Sequence, residues 1–163
     1  MSAPLTAQPH DGLNGFARHK AMFAVALAVL LSVLDYAVVN VALPSIARDI
    51  HTSDSASIWV VNAYQLASVI SLLPVAAMGD RVGHARMCRI GLALFVIASL
   101  LCAVSRTLPE LAVARALQGF GGACIMGVNA ALVRYIYPAK MLGRGIALNG
   151  LVVALGVALG PTV

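Results

Sequence analysis

Five apolar blocks, parted by short loops that carry arginine and lysine, dictate what this chain folds into. They run from about Ala21 to Leu43, Ala56 to Met78, Cys88 to Ser105, Leu108 to Val133 and Leu142 to Val163. Roughly twenty helical residues, at about 1.5 Å each, cross a hydrocarbon core of about 30 Å. Backbone groups in that core must be hydrogen-bonded within the chain itself, so each block is expected to be a helix. Of the 163 residues, 61% are hydrophobic and 10% are charged, where a soluble domain has about a quarter charged. So little polar surface does not wrap a water-soluble globule. The expected fold class is an all-α polytopic membrane protein with five transmembrane helices. A flexible tail over residues 1–20 precedes them. The first block is too long for the apolar core of a signal peptide, and further blocks follow it, so it is read as a retained span.

Charge placement predicts topology. Basic residues gather in the tail (Arg18, Lys20), in the second loop (Arg81, Arg86, Arg89) and in the fourth (Arg134, Lys140, Arg144). These segments alternate with less basic ones, so they share the cytoplasmic face of a cell (plasma or inner) membrane, and the amino terminus is inside. The net charge of +5 is thereby a matter of topology, and no nucleic acid partner is expected. Neither a phosphate-cradling G-x-x-x-x-G-K-[ST] nor H-E-x-x-H nor G-x-S-x-G occurs. The four histidines lack metal-ligand spacing, and the cysteines (Cys88, Cys102, Cys124) read as small packing residues. No enzyme activity, metal or cofactor is expected.

Two blocks nevertheless carry charge: Asp35 in the first and Arg115 in the fourth. Each costs about 2.5 kcal/mol or more at the centre of a bilayer. At 100° per residue Ser32, Asp35, Tyr36 and Asn40 fall within an arc of about 140°, which faces the protein interior or an aqueous cavity. Asp35 lies before Pro44, and Arg115 after Leu108, by similar distances, so both sit about 10–14 Å below the same face. Pairing follows if the first and fourth helices are neighbours. A guanidinium favours the ionised carboxylate and desolvation the neutral one. A carboxylate held between these effects is a candidate proton site.

Weaker signals surround that pair. Asn62 and Gln65 share a face of the second helix, where they either line a substrate path with Tyr36 and Asn40 or hydrogen-bond a neighbouring helix. Trp59 reads as an interfacial anchor. In the fourth helix Gly119, Ala123 and Gly127 recur at four-residue spacing, a ridge for close packing or for sliding, widened by Gly121 and Gly122.

Four motifs resemble the major facilitator superfamily, and within it the 14-span drug:proton antiporters, over about residues 25–163. "LDYAVVNVALPSI" is similar to the first-helix motif L-D-x-T-V-V-N-V-A-L-P-x-I, with Ala37 in place of Thr. "GDRVGHAR" resembles the loop motif between the second and third helices. Asp80, Arg81 and Gly83 match it. Ala76 and Met78 depart from it, and His84 and Ala85 stand where basic residues are usual, with Arg86 just beyond. "ARALQGFGGA" resembles the helix-four motif through Arg115, Gln118 and Gly119. "GVALGP" resembles the start of the antiporter motif through Gly156, Gly160 and Pro161.

The resemblance implies roles. Asp35 would bind protons and Arg115 would tune it. Within the cytoplasmic loop motif of Gly79, Asp80, Arg81, Gly83 and Arg86, the residues Asp80, Arg81 and Gly83 would form a cytoplasmic latch between the two halves, and Gly156, Gly160 and Pro161 would bend the fifth helix. The implied activity is proton-driven efflux of a small amphipathic or cationic organic substrate across the lipid bilayer, with no cofactor. In that family the first six helices form one half, built from inverted three-helix repeats. Five helices are then an incomplete amino-terminal bundle, expected to be a fragment that is inactive alone and lacks its carboxy-terminal half. The alternative is a small stand-alone membrane protein acting as an accessory or regulatory partner of another.

Overall fold

The computed structural model describes residues 12–49 and 54–160, without the side chains of 40, 42–44, 46–49 and 54–57. The chain order is α1 (Gly15–Asp49), α2 (Asp54–Val82), α3 (His84–Val104), α4 (Leu108–Ile136), a 3-10 turn (Ala139–Met141) and α5 (Leu142–Leu159). Each of the five contains a stretch long and apolar enough to cross a membrane.

Local chemistry sets the ends. Thr107 caps α4, its hydroxyl accepting from Glu110 N at 3.4 Å, while the Glu110 carboxylate accepts from Arg106 N at 3.0 Å. This reciprocal arrangement satisfies amides that a helix start leaves unpaired. At the far end of α4, Tyr137 turns extended and Pro138 follows, which ends the helix. Pro74 lies inside α2, where it removes one backbone donor.

Two boundaries differ from those expected. α1 starts at Gly15, so the last residues of the expected tail are helical. The cause is tertiary: Leu13 N donates to Ile136 O at 3.0 Å, and Arg18 reaches Met141 Sδ at 3.6 Å and lies 5.8 Å from the Tyr137 ring centre. The remainder of the tail, residues 1–11, lies outside the described residues. The basic loop expected between the second and third helices is reduced to Gly83, because α2 continues to Val82 and α3 begins at His84. Gly83 has φ +99°, a conformation open to glycine at little cost, and its N–H still bonds Gly79 O at 2.9 Å.

α4 is the central element, with 61% of its most apolar window buried against 11–33% for the others. It packs along α2 on one side and α3 on the other, and α5 packs on α1. If α4 and α5 repeat α1 and α2, the α2–α4 and α1–α5 contacts are one packing mode used twice. Two glycines permit the closeness. A Cβ on Gly119 would strike the Tyr64 carbonyl of α2, and one on Gly121 would lie 2.7 Å from Phe95 N of α3. Gly127, further along, meets α2 only at ordinary contact distance, 3.4 Å from Leu72 O. The glycine-rich surface of α4 thus serves two neighbours. Large apolar side chains such as Phe23, Leu73, Leu100 and Leu151 point outward, the arrangement of a bundle whose solvent is acyl chain.

Candidate functional site

α1 and α4 are neighbours, and their two charged side chains meet. Arg115 Nη1 lies 2.6 Å from Asp35 Oδ2. Arg115 is 2% exposed and the Asp35 side chain 20% exposed. The carboxylate therefore sits at the edge of an opening while the guanidinium is sealed in. In a protein interior such a pair recovers its desolvation cost only if further hydrogen bonds complete it.

Gln118, one turn along α4, supplies them. Its Nε2 donates to Asp35 Oδ1 at 2.7 Å and to Ser99 Oγ of α3 at 2.7 Å. Its Oε1 accepts from Arg115 Nη1 at 2.5 Å, and the Cys102 thiol reaches it at 3.7 Å. One amide thereby joins three helices. Arg115 is covered on its other side by Tyr64 of α2, whose ring centre is 4.5 Å from Cζ. The quadrupole of that ring offers partial compensation to Nε and Nη2, which have no hydrogen-bond partner among the described residues. Tyr64 and Tyr36 ring centres are 6.2 Å apart, and Gln65 Nε2 donates to Tyr36 Oη at 3.0 Å.

Of the candidate residues, Asp35, Arg115 and Gln118 thus form one cluster, with Tyr36 and Gln65 paired beside it on an exposed face. Asn62 is half-buried in α2 and is not among the described residues bonded to the carboxylate. The Asn40 side chain and Pro161 lie outside the described residues. Gly119 packs on α2, its carbonyl accepting from Ser68 Oγ at 3.1 Å. Gly156 and Gly160 lie against α1, where added side-chain atoms would meet Val33 and Ala37.

The latch motif is a helix end and not a loop: Gly79, Asp80 and Arg81 close α2, and Arg86 lies in the first turn of α3. Asp80 pairs with His84, Oδ1 to Nε2 at 3.1 Å, on the exposed surface.

Sequence reasoning missed Tyr64 and Ser99 and took Cys102 for packing. A signal existed for the α3 pair. Ser99, Cys102 and Ser105 recur every three residues, a polar edge at the otherwise apolar far end of α3. Cys124 does pack, against Gly91, and the three cysteines are free thiols.

A cavity of about 330 Å³ adjoins the cluster, bounded by Asp35, Arg115 and Gln118 and by α3 from Ser99 to Ser105. Among the described residues no group of His, Cys, Asp and Glu is arranged to hold a metal ion. The cluster brings a carboxylate, a guanidinium and an amide within hydrogen-bond distance of one another.

Comparison with known proteins shows the family. The sequence model of the Major Facilitator Superfamily matches residues 25–163. The chain is 49% identical over 153 residues to the uncharacterized transporter YebQ of Escherichia coli K12, covering 94% of this chain and 34% of that protein. It is 33% identical over 142 residues to the riboflavin transporter RibZ of Clostridioides difficile, covering 87% and 31%. It is 31% identical over 169 residues to the tetracenomycin C resistance and export protein of Streptomyces glaucescens, covering 98% and 31%. The chain spans about a third of the length of these curated relatives.

Proposed function

The chain belongs to the Major Facilitator Superfamily, and from that membership we propose that it is the amino-terminal portion of a proton-coupled exporter of small amphipathic or cationic organic compounds. The observation that carries this reading is the Asp35–Arg115 pair at 2.6 Å inside the bundle. Ionised, Asp35 is held by Arg115 and Gln118. Protonated, it loses its attraction to Arg115, and the tie between α1 and α4 weakens. That makes the contact between two repeats dependent on proton occupancy, which is what coupling needs.

Several parts complete the reading. Basic residues at one set of helix ends support a cytoplasmic amino terminus. Tyr36 and Gln65, exposed beside the pair, are suited to line the substrate path. Alternating access requires two bundles rocking about a midplane site, so the remaining transporter half is the needed partner and this chain is inactive by itself. The drug and small-molecule relatives support an organic substrate.

The test is export in cells lacking efflux pumps, with the chain expressed alone and fused to the carboxy-terminal remainder of YebQ. Resistance to lipophilic cations is expected only from the fusion and is lost in Asp35→Asn. Retained resistance in that variant, at equal membrane abundance, refutes the role of Asp35. Resistance from the chain alone refutes the need for a second half.

A further inference from the structure

The cavity beside Asp35 is lined on one side by a polar edge that the mechanism above does not use. Ser99 and Cys102 of α3 and Ser105 at its end all border it. Spaced three residues apart they fall on one helix face, and together they climb about 9 Å along the axis. The lower end of this ladder is bonded to the proton site, since Ser99 Oγ accepts from Gln118 Nε2 at 2.7 Å and Gln118 donates onward to Asp35 at 2.7 Å. The upper end is the terminus of α3: Ser105 is its capping residue, next to the exposed turn Arg106–Thr107. Leu111, in the second turn of α4, completes that rim.

A volume of about 330 Å³ has room for several waters. Its walls are largely apolar (Val39, Val60, Ala103, Leu111), and the polar edge with Asp35 and Gln118 supplies the partners that water needs there. Tyr36 and Gln65 are absent from its walls. They stand on the exposed face of α1 and α2, so Asp35 has two different sides.

We propose that this cavity, walled by α1, α3 and α4 and completed by Val60 of α2, is the proton entrance to Asp35, opening at the α3–α4 turn and distinct from the exposed Tyr36–Gln65 face that meets substrate. The proposal rests on Asp35 being the coupling carboxylate. A hydronium entering at the turn transfers its proton to an Asp35 carboxylate oxygen and leaves as water. Asp35 becomes neutral, and departure of the proton to water reverses the step. The titratable or charged groups facing the carboxylate are Arg115 of α4, Tyr64 of α2, Tyr36 of α1 and Cys102 of α3. Arg115 is the permanent charge among them.

Two measurements on the full chain in lipid vesicles test the entrance. In the first, the infrared carboxyl band that disappears in Asp35→Asn is followed after a rapid pH jump. A plug at the rim, Ser105→Phe, is expected to slow protonation roughly tenfold or more, equivalent to about 1.4 kcal/mol of barrier, with the midpoint unmoved. Unchanged rates in Ser105→Phe overturn the proposal. In the second, Cys102 reports access in a Cys88→Ala, Cys124→Ala background. A small charged thiol reagent is expected to label Cys102 from the side of the α3–α4 turn, and Ser105→Phe to suppress this. Labelling from the opposite side alone, or none, overturns the entrance whatever the plug variant does. If the wild type has no Asp35 band that titrates, the coupling role of Asp35 fails, and Cys102 labelling still decides where the cavity opens.

Discussion

Gly160, which caps α5, and Ala37 of α1 face each other so closely that a side chain on Gly160 would overlap the Ala37 methyl group. One turn away Gly156 does the same against Val33, with an added Cβ falling 2.8 Å from Val33 Cγ1. The glycines expected to bend the fifth helix are thus contact surfaces, and their partner is the helix that carries Asp35. Gly160→Leu is expected to push α5 off α1 and to cost about 1–3 kcal/mol, the usual penalty of overpacking. Detergent-induced unfolding of the purified chain measures it. Gly150→Leu, with nothing within 4 Å, serves as the control and is expected to change little.

Arg115 is a buried cation with one acidic partner among the described residues. Removing that partner strands the charge, so Asp35→Ala is expected to destabilise the bundle by about 3–5 kcal/mol. Replacing both, as Asp35→Leu with Arg115→Met, is expected to recover most of the loss, since no uncompensated ion remains. A double-mutant cycle by the same unfolding assay distinguishes the two outcomes. Purely additive losses contradict the pairing.

Gln118 is 1% exposed and bonded to Asp35, Arg115 and Ser99. Gln118→Met keeps the shape and removes the amide. Leaving buried groups unpaired costs about 1–3 kcal/mol. The same detergent-induced unfolding assay reads this loss. An unchanged stability means that the amide's hydrogen bonds contribute nothing net.

Gly83 alone connects α2 and α3, with φ +99° and open space around it. Gly83→Ala is expected to cost about 1–3 kcal/mol from backbone strain alone. His84→Ala, which removes an exposed pair with Asp80, is expected to cost no more than about 1 kcal/mol. Comparing the two in one unfolding series separates the turn's geometry from its surface charge.

The membrane class was legible from hydropathy, and the Asp35–Arg115 pairing from depth, because helical rise converts residue number into height. What height does not give is azimuth. Whether Tyr64 or another residue of α2 covers the guanidinium depends on how two helices distant in sequence rotate against each other, and Gly119 settles that through its contact with the Tyr64 carbonyl. Ser99 and Cys102 escaped notice for a related reason: short polar side chains in an apolar helix are ordinary until a partner such as Gln118 is placed opposite. The helix start at Gly15 was missed because a tertiary bond, Leu13 to Ile136, extends α1 past its apolar core, and the end at Val82 because the local Gly83–Gly79 bond carries α2 through polar residues.

That Leu13–Ile136 bond has a mechanical corollary. It pins the start of α1 to the end of α4, about 30 Å of helix from the acid–base tie further up. Two rods fastened at both ends are a strut; release one fastening and they become shears. On the proposed role of Asp35, uptake of a proton would loosen the upper fastening and leave the lower one as the hinge.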